Sequence, residues 1–150
     1  MSGLRTTAQR RADATAAFER QGDAWLATAG ASGEPHLIVV SCAWTGDRFV
    51  VATRGDSPTA RNLDRAGRAR MGFGATDDVV MVDAVVDATR PATPSGGDLT
   101  SSFVAALGWD PAEEGDDWRF FVLRPTRIQA YRGYGERAGR EVMREGRWLA

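Results

Sequence analysis

Short apolar runs separated by tight turns are the feature of this sequence that most restricts its fold. The first three runs are Ala24–Ala29, His36–Trp44 and Arg48–Thr53. Gly30-Ala31-Ser32-Gly33 follows the first run, and Thr45-Gly46-Asp47 follows the second. Glycine and aspartate at such places favour hairpin turns between antiparallel strands. The three runs therefore predict an antiparallel meander.

The rest of the chain predicts more strands, with helices placed irregularly between them. A helix over Pro58–Ala66 is indicated by Ser57 as its cap, Pro58 at its first position and Gly67 as its stop. The other predicted elements are a helix over Asp98–Leu107 and strands over Arg68–Ala75, Val79–Thr89, Trp118–Leu123, Arg127–Tyr131 and near Glu141–Arg144, with Pro125 breaking the run between Leu123 and Arg127. Six or seven mostly antiparallel strands with two or three short helices favour a small barrel of the α+β class, mainly β. No linker is visible, so we expect one domain over residues 1–150.

Three connecting or terminal segments complete this prediction. Residues 4–20 predict a surface helix, because Leu4, Ala8, Ala12, Thr15 and Phe18 recur at helical spacing but form only a thin apolar stripe. We interpret Pro91–Gly97 as a loop and Asp110–Asp117 as a solvated acidic turn.

Two of the predicted strands are apolar along almost their whole length. His36–Trp44 and Val79–Val86 lack the alternation expected of a sheet with one solvated face. In an antiparallel sheet this pattern indicates that both faces are covered. A partner subunit is the simplest second cover for so short a chain, so we expect a homodimer.

The composition excludes several classes of function. All 19 basic residues are arginines, so the chain has no lysine for a Schiff base or a Walker motif. The net charge of −1 argues against a nucleic-acid partner. A single cysteine excludes an internal disulfide and a multi-cysteine metal site, and we predict no metal. No signal peptide or membrane-spanning run is visible, which favours the cytoplasm and no membrane partner.

The segment Ala52–Leu63 carries the clearest binding signal. It places the guanidinium groups of Arg54 and Arg61 and the hydroxyls of Ser57 and Thr59 around a helix N-terminus. Helix N-termini attract anions through unpaired N–H groups and the helix dipole. The segment thus predicts a phosphate or carboxylate site, with an ordinary Ser-Pro helix cap and solvated arginines as the alternative interpretation.

Three single residues call for separate interpretation. His36 is the only histidine and the weak candidate for acid–base catalysis, although a hydrogen-bonding role at a strand start is the simpler interpretation. Asp83 interrupts an apolar strand and, if buried, needs an arginine partner. Cys42 lies in an apolar run and is expected to be a core residue.

The order of several short motifs resembles a known family. Gly33-Glu34-Pro35-His36 is followed by an apolar strand, by Thr53 at the end of the third strand and by Ser57-Pro58-Thr59-Ala60-Arg61-Asn62-Leu63. The closing segments run from Arg124 to Tyr131 and from Met143 to Leu149. From about Trp25 to the terminus, the chain resembles the pyridoxamine 5′-phosphate oxidase-like flavin-binding split barrels, in particular actinobacterial members.

This resemblance implies a homodimeric antiparallel split β-barrel with FMN, or the related 8-hydroxy-5-deazaflavin coenzyme, in a cleft between the subunits. Two groups of cofactor-binding residues follow from it. The phosphate group would be held by Arg54, Ser57, Thr59, Arg61 and Asn62, and the ring system would lie against His36, Ile38, Val51, Ala52 and Thr53.

The chain departs from its relatives at two places. Many relatives have proline where Val40 stands, and lysine often stands where this chain has Thr59 or Ala60. Because the phosphate segment here lacks lysine, the resemblance leaves the choice between FMN and the deazaflavin open.

The function implied is a flavin- or deazaflavin-dependent oxidoreductase that moves a hydride between the cofactor and a small organic substrate. The chain lacks the Arg- and His-bearing tail of the true oxidases of pyridoxamine 5′-phosphate, which disfavours that substrate. The alternative is a non-catalytic flavin or small-ligand binding protein on the same fold.

Overall fold

Eight strands and three helices make up the part of the chain that the computed structural model describes, residues 3–93 and 97–150. The helices are α1 (Thr7–Gln21), α2 (Pro58–Ala66) and α3 (Asp98–Leu107). The strands are β1 (Asp23–Ala29), β2 (Pro35–Trp44), β3 (Phe49–Arg54), β4 (Arg68–Ala75), β5 (Asp78–Pro91), β6 (Trp118–Tyr131), β7 (Glu141–Arg144) and β8 (Arg147–Trp148).

The first six strands close into an antiparallel barrel. They follow the order β3-β2-β1-β4-β5-β6, and β3 also pairs with β6 from Phe49↔Leu123 to Arg54↔Trp118. β7 and β8 extend the sheet beyond β6. The predicted meander of β1, β2 and β3 and the mainly β, α+β split-barrel class are confirmed.

The prediction of two strands around Pro125 is wrong, because β6 runs unbroken from Trp118 to Tyr131. The register with β5 shifts at this point, so that Asp83 opposes Arg127 and Ala84 opposes Pro125. A bulge accommodates proline, which has no N–H for the ladder. The Thr126 hydroxyl donates to the Asp83 carbonyl at 3.1 Å and secures the bulge.

Local capping chemistry decides where α1 and α2 begin. α2 and α3 have the predicted bounds, and α2 begins at the Ser57 cap and ends at Gly67. α1 begins later than predicted, at Thr7, because Thr6 and Gln9 form a capping box. None of the helices in the described ranges is long and apolar enough to cross a membrane.

Of the residues predicted to form the apolar stripe of α1, only Phe18 is buried. Leu4 precedes the helix and is exposed, as are Ala8 and Ala12. The buried residues of α1 are Arg10, Ala14, Ala17 and Phe18. A buried arginine cannot be recognised from hydrophobic periodicity, which is why the stripe was misplaced.

Aromatic side chains fill one end of the barrel. Phe18 of α1 lies 4.9 Å from Phe49 and 4.8 Å from Phe73 between ring centroids. Trp44 packs across the hairpin on Phe49 at 4.6 Å. A second aromatic cluster lies between α3 and the sheet, where the ring centroids of Phe103 and Phe120 are 5.2 Å apart. α1 is thereby packed onto the core as well as lying at the surface.

The outer face of β1 and β2 exposes large apolar side chains. Trp25, Leu37 and Val39 are 53%, 60% and 53% exposed, and Trp25 pairs directly with Val39. The second cover predicted for β2 is therefore not supplied by this chain's described residues.

Two further predictions concern individual side chains in the sheet. Asp83 pairs with Arg70 across β4 and β5, with 2.6 Å between carboxylate oxygen and guanidinium nitrogen, so the expected arginine partner is present although Asp83 is only partly buried. Cys42 is buried in the core, and this burial raises the pKa of its thiol.

Two buried charged side chains fasten α1 to the segment between β6 and β7. Arg10 donates to the backbone oxygens of Glu136 at 2.9 Å and Gly139 at 3.0 Å. Glu136 accepts from the Arg5 guanidinium at 2.6 Å and from the Arg132 N–H at 2.8 Å. The hydrogen bonds from Arg5 are the main cause that lowers the pKa of Glu136 to about 2.

Glu136→Gln is expected to lower the free energy of unfolding at neutral pH by roughly 1.5–3 kcal/mol, the scale of a hydrogen bond to a charged group. Because the folded-state pKa is depressed from 4.5 to about 2, the carboxylate stabilises the fold above about pH 4.5 and stops doing so as the pH falls toward 2. Urea unfolding at a series of pH values should show a smaller acid-induced loss in the variant than in the wild type. Glu19→Gln, at an exposed carboxylate of α1, is the control, and an equal acid-induced loss in Glu136→Gln would contradict the assignment.

Candidate functional site

The candidate site is built on β3, the loop after it and α2. Thr53 near the end of β3 is held in the barrel by its register with Arg119 of β6. The Thr53 hydroxyl lies 3.0 Å from Ser57 Oγ, which in turn accepts the Ala60 N–H at 3.1 Å. This last bond caps α2. The closing strand of the barrel therefore fixes where α2 begins.

An ion pair holds the last turn of α2 to the barrel. The two terminal nitrogens of Arg119 donate to the two carboxylate oxygens of Asp64 at 2.7 and 2.8 Å. These hydrogen bonds are the main cause that lowers the pKa of Asp64. A two-pronged contact fixes orientation as well as distance, so the face that α2 turns toward β1 and β2 is fixed too.

A cavity of about 420 Å³ opens beside the first turns of α2. We call it the α2 cavity. The β1–β2 turn, the start of β2 and one face of α2 form its walls. Its lining residues are Gly30, Ala31, Glu34, Pro35, His36, Pro58, Arg61, Asn62 and Arg65.

Two arginines one helical turn apart give the α2 cavity its positive charge. Arg61 donates to the Asp56 carbonyl at 2.6 Å, and Arg65 donates to the Ala29 carbonyl. Within residues 3–93 and 97–150, neither guanidinium has a carboxylate within ion-pair distance. A guanidinium has five N–H donors, so most donors of both groups remain for a ligand. Glu34 is the one carboxylate in the lining.

Hydrogen bonds orient two other polar residues of the cavity, Asn62 and His36. Asn62 Nδ2 donates to Thr28 Oγ1 at 3.0 Å, and both residues are buried. His36 Nε2 lies 3.1 Å from Thr59 Oγ1, and Thr59 is also buried. His36 and Asn62 are thus held in place before any ligand arrives.

The backbone of α2 contributes less to anion binding than its arginines do. Pro58 has no N–H, and the Ala60 N–H is taken by Ser57 Oγ. The Arg61 N–H bonds to the Ser57 carbonyl at 3.1 Å. Among the described first-turn amides, the Thr59 N–H is left without a protein acceptor. Side-chain donors therefore dominate this site.

The predicted phosphate residues divide into two groups. Arg61 and Asn62 line the α2 cavity, together with His36 from the predicted ring group. The Thr59 hydroxyl contacts the His36 ring, and the Ser57 hydroxyl caps α2. Arg54 pairs with the exposed Asp56 at 3.2 Å on the loop before α2.

The residues predicted to face the ring lie on β2 and β3. Ile38 is half-buried on β2 and packs against the main core. Val51 is fully buried in that core, whereas Ala52 packs in the second cluster with Phe120. Thr53 is buried at the end of β3 beside Ser57. The lining of the α2 cavity includes none of these four residues, so of the predicted ring group only His36 reaches it.

A second cavity, of about 510 Å³, opens over β1, β4 and β5. We call it the outer-face cavity. Thr28 and Ala29 line the outer-face cavity and Gly30, the next residue in the chain, lines the α2 cavity, so both cavities reach the end of β1. Its lining includes the small apolar residues Ala27, Ala69, Ala84 and Val85. The ion-paired residues Arg70 and Asp83 also line it. A polar cavity thus opens beside a larger, more apolar one.

Two charged residues of the α2 cavity, Arg65 and Glu34, are absent from the site residues predicted from the sequence. Arg65 stands four residues after Arg61, a spacing that places both on the same face of a helix. That signal was present, since α2 was predicted with its observed bounds. Glu34 reaches the cavity through the conformation of the β1–β2 turn, which the sequence did not specify.

Comparison with known proteins identifies the family. A family model described as pyridoxamine 5′-phosphate oxidase matches residues 12–132. The chain belongs to this family. No curated protein matches its sequence.

Several solved structures of similar fold accompany this match to the pyridoxamine 5′-phosphate oxidase family. One described as an F420 reductase is 24% identical with a TM-score of 0.60, and the match covers 75% of this chain and 93% of that one. A haem-binding protein from Mycobacterium smegmatis is 22% identical with a TM-score of 0.64, covering 90% of this chain and 57% of that one. A pyridoxamine 5′-phosphate oxidase-related, FMN-binding protein from Nostoc punctiforme is 14% identical with a TM-score of 0.56, covering 85% of each chain. At these identities the likeness shows the shared fold.

Proposed function

We propose that the chain is a flavin- or deazaflavin-dependent oxidoreductase that holds the phosphate group of its cofactor in the α2 cavity. The observation that carries this proposal is the pair Arg61 and Arg65, whose guanidiniums face one cavity without a carboxylate partner among the described residues. Arginine forks match phosphate oxygens in geometry and charge. The donor set therefore fits a phosphate-bearing cofactor.

The neighbouring residues would position the rest of the cofactor. A phosphate in the α2 cavity leaves the outer-face cavity for an extended ring system, because the two cavities reach the neighbouring residues Ala29 and Gly30. The small side chains of Ala27, Ala69 and Ala84 leave room for a flat ring. When bound, the cofactor supplies the hydride chemistry, while the protein binds, orients and excludes water.

A second subunit would complete this site. Trp25, Leu37 and Val39 form an exposed apolar face directly beside the outer-face cavity, since Trp25 and Ala27 lie on the same face of β1. Contiguous exposed apolar side chains of this size mark interaction surfaces. The occupant proposed is a second copy of the chain, as a homodimer in the cytoplasm.

The choice between FMN and the deazaflavin coenzyme is the finer part of the proposal. Both cofactors carry phosphate, and the relatives include one described as an F420 reductase and one described as FMN-binding. The absence of lysine means that either cofactor would be held by arginine, asparagine and histidine donors. Binding of each cofactor to the purified protein distinguishes them.

A non-catalytic carrier is the second candidate function. It is favoured by one observation: His36, the acid–base candidate in the α2 cavity, has its Nε2 engaged by Thr59. If the protein binds a cofactor but no small organic substrate reduces or oxidises it, the carrier role replaces the enzymatic one.

Arg61→Ala is expected to weaken cofactor binding by roughly 1.5–3 kcal/mol, because a hydrogen bond to a charged group is lost. Arg65→Ala should have an effect of similar size, since its guanidinium shares the cavity. Fluorescence titration with FMN and with the deazaflavin coenzyme measures both.

Arg20→Ala, at an exposed arginine in the last turn of α1, serves as the matched control for this titration and should bind as the wild type does. Unchanged affinity in both Arg61→Ala and Arg65→Ala would show that the phosphate group binds elsewhere.

Val39→Asp is expected to convert a dimer into monomers, because a charge would be buried in the apolar face beside Trp25. Light scattering coupled to size-exclusion chromatography measures the mass. Leu4→Asp is the control, since Leu4 is 64% exposed and precedes α1. A wild-type protein that is monomeric at micromolar concentration would contradict the dimer.

A further inference from the structure

A second strongly basic cavity lies between the start of α1, β6 and β7. Its volume is about 430 Å³, and we call it the arginine cavity. Its lining includes Arg127, Arg137, Arg140, Arg144, Glu141 and Thr7. We propose that the arginine cavity binds a small molecule through a diphosphate group, at a site separate from the α2 cavity.

The charge of the arginine cavity is the first argument. Four guanidiniums line it and Glu141 is the one carboxylate in the lining. That carboxylate is shared, with 3.2 Å to Arg127 and 2.8 Å to Arg144. Glu145 lies next to Arg144 in sequence and adds a further negative charge nearby. Since the whole chain has a net charge of −1, this local positive excess does not reflect a generally basic surface.

Hydrogen bonds that already hold three of the four guanidiniums are the second argument, and two of these, from Arg127 and Arg144, go to Glu141. Arg140 donates to Gln129 Oε1 at 2.8 Å and to the Arg137 carbonyl at 2.9 Å. The backbone between β6 and β7 is itself held by the buried Arg10, which donates to the Gly139 carbonyl. A ligand therefore meets donors that are already ordered, which lowers the entropic cost of binding.

The size and shape of the lining favour a diphosphate over a single small anion. The four guanidiniums and the one carboxylate of the lining leave an excess of three positive charges, which a diphosphate balances better than a single phosphate group does. The cavity volume lies within the range typical of small-molecule sites. Thr7 begins α1, whose N-terminal end adds positive potential. Leu149, which is 44% exposed, gives one wall an apolar surface for an organic part.

The arginine cavity also lies mostly outside the part of the chain that defines the family. Of its lining residues, only Arg127 falls within the matched residues 12–132. The other three arginines come from the connecting loop and β7. The cavity is therefore a feature of this chain's own closing segment.

Titration of pyrophosphate into the full chain by isothermal calorimetry, at constant ionic strength, tests the proposal. The double variant Arg137→Gln/Arg144→Gln is expected to weaken binding tenfold or more, the change expected on losing charged hydrogen bonds. Both arginines are exposed, so the fold should persist, and thermal unfolding checks this. Arg20→Gln is the charge-matched control and should bind as the wild type does. Orthophosphate and sulfate should bind more weakly than pyrophosphate.

The variant Arg61→Gln/Arg65→Gln separates this site from the α2 cavity. Pyrophosphate binding that survives in this variant but is lost in Arg137→Gln/Arg144→Gln supports the arginine cavity, whether or not a cofactor binds at α2. Binding that is lost only in Arg61→Gln/Arg65→Gln, or that neither double variant weakens, overturns the proposal. If Arg137→Gln/Arg144→Gln unfolds, each single variant is titrated, and unchanged affinity in both overturns it as well.

Discussion

The pairing of β3 with β6 is the constraint on which the rest of this structure depends. It closes the barrel and places Thr53 and Arg54 in register with Arg119 and Trp118. From that register follow the Ser57 cap, the start of α2 and the Arg119–Asp64 pair that orients α2. A cavity lined by α2 would have no defined shape without this closure. The geometry of the α2 cavity therefore depends on a pairing between strands that are far apart in the sequence.

Arginine takes every cationic role in this chain, and its partners decide which role it plays. Arg10 and Arg119 use backbone carbonyls and a carboxylate to hold helices to the barrel. Arg61 and Arg65 have most of their donors unused in the α2 cavity. The same residue type therefore builds the fold where it is paired and forms a candidate site where carboxylates are few.

Predictions from the sequence were accurate where the signal was local. α2 was predicted with its observed bounds because Ser57, Pro58 and Gly67 specify a helix by themselves. The continuity of β6 was missed, since the bulge at Pro125 is allowed only by its pairing with β5. The inner face of α1 was misplaced because burial of Arg10 depends on distant carbonyls. Of the predicted site residues, Arg61 and Asn62 line the α2 cavity because they share one helix, whereas Glu34 reaches it only through the conformation of a turn.

The most direct test of a cofactor phosphate in the α2 cavity uses His36. It is the only histidine in the chain, so every histidine ring proton signal in an NMR spectrum comes from it. Its ring lines the cavity with Arg61 and Asn62. Saturation with the cofactor that binds, FMN or the deazaflavin, should shift these signals by more than their linewidth. Cofactor binding that leaves the His36 ring signals unmoved would contradict the proposed site.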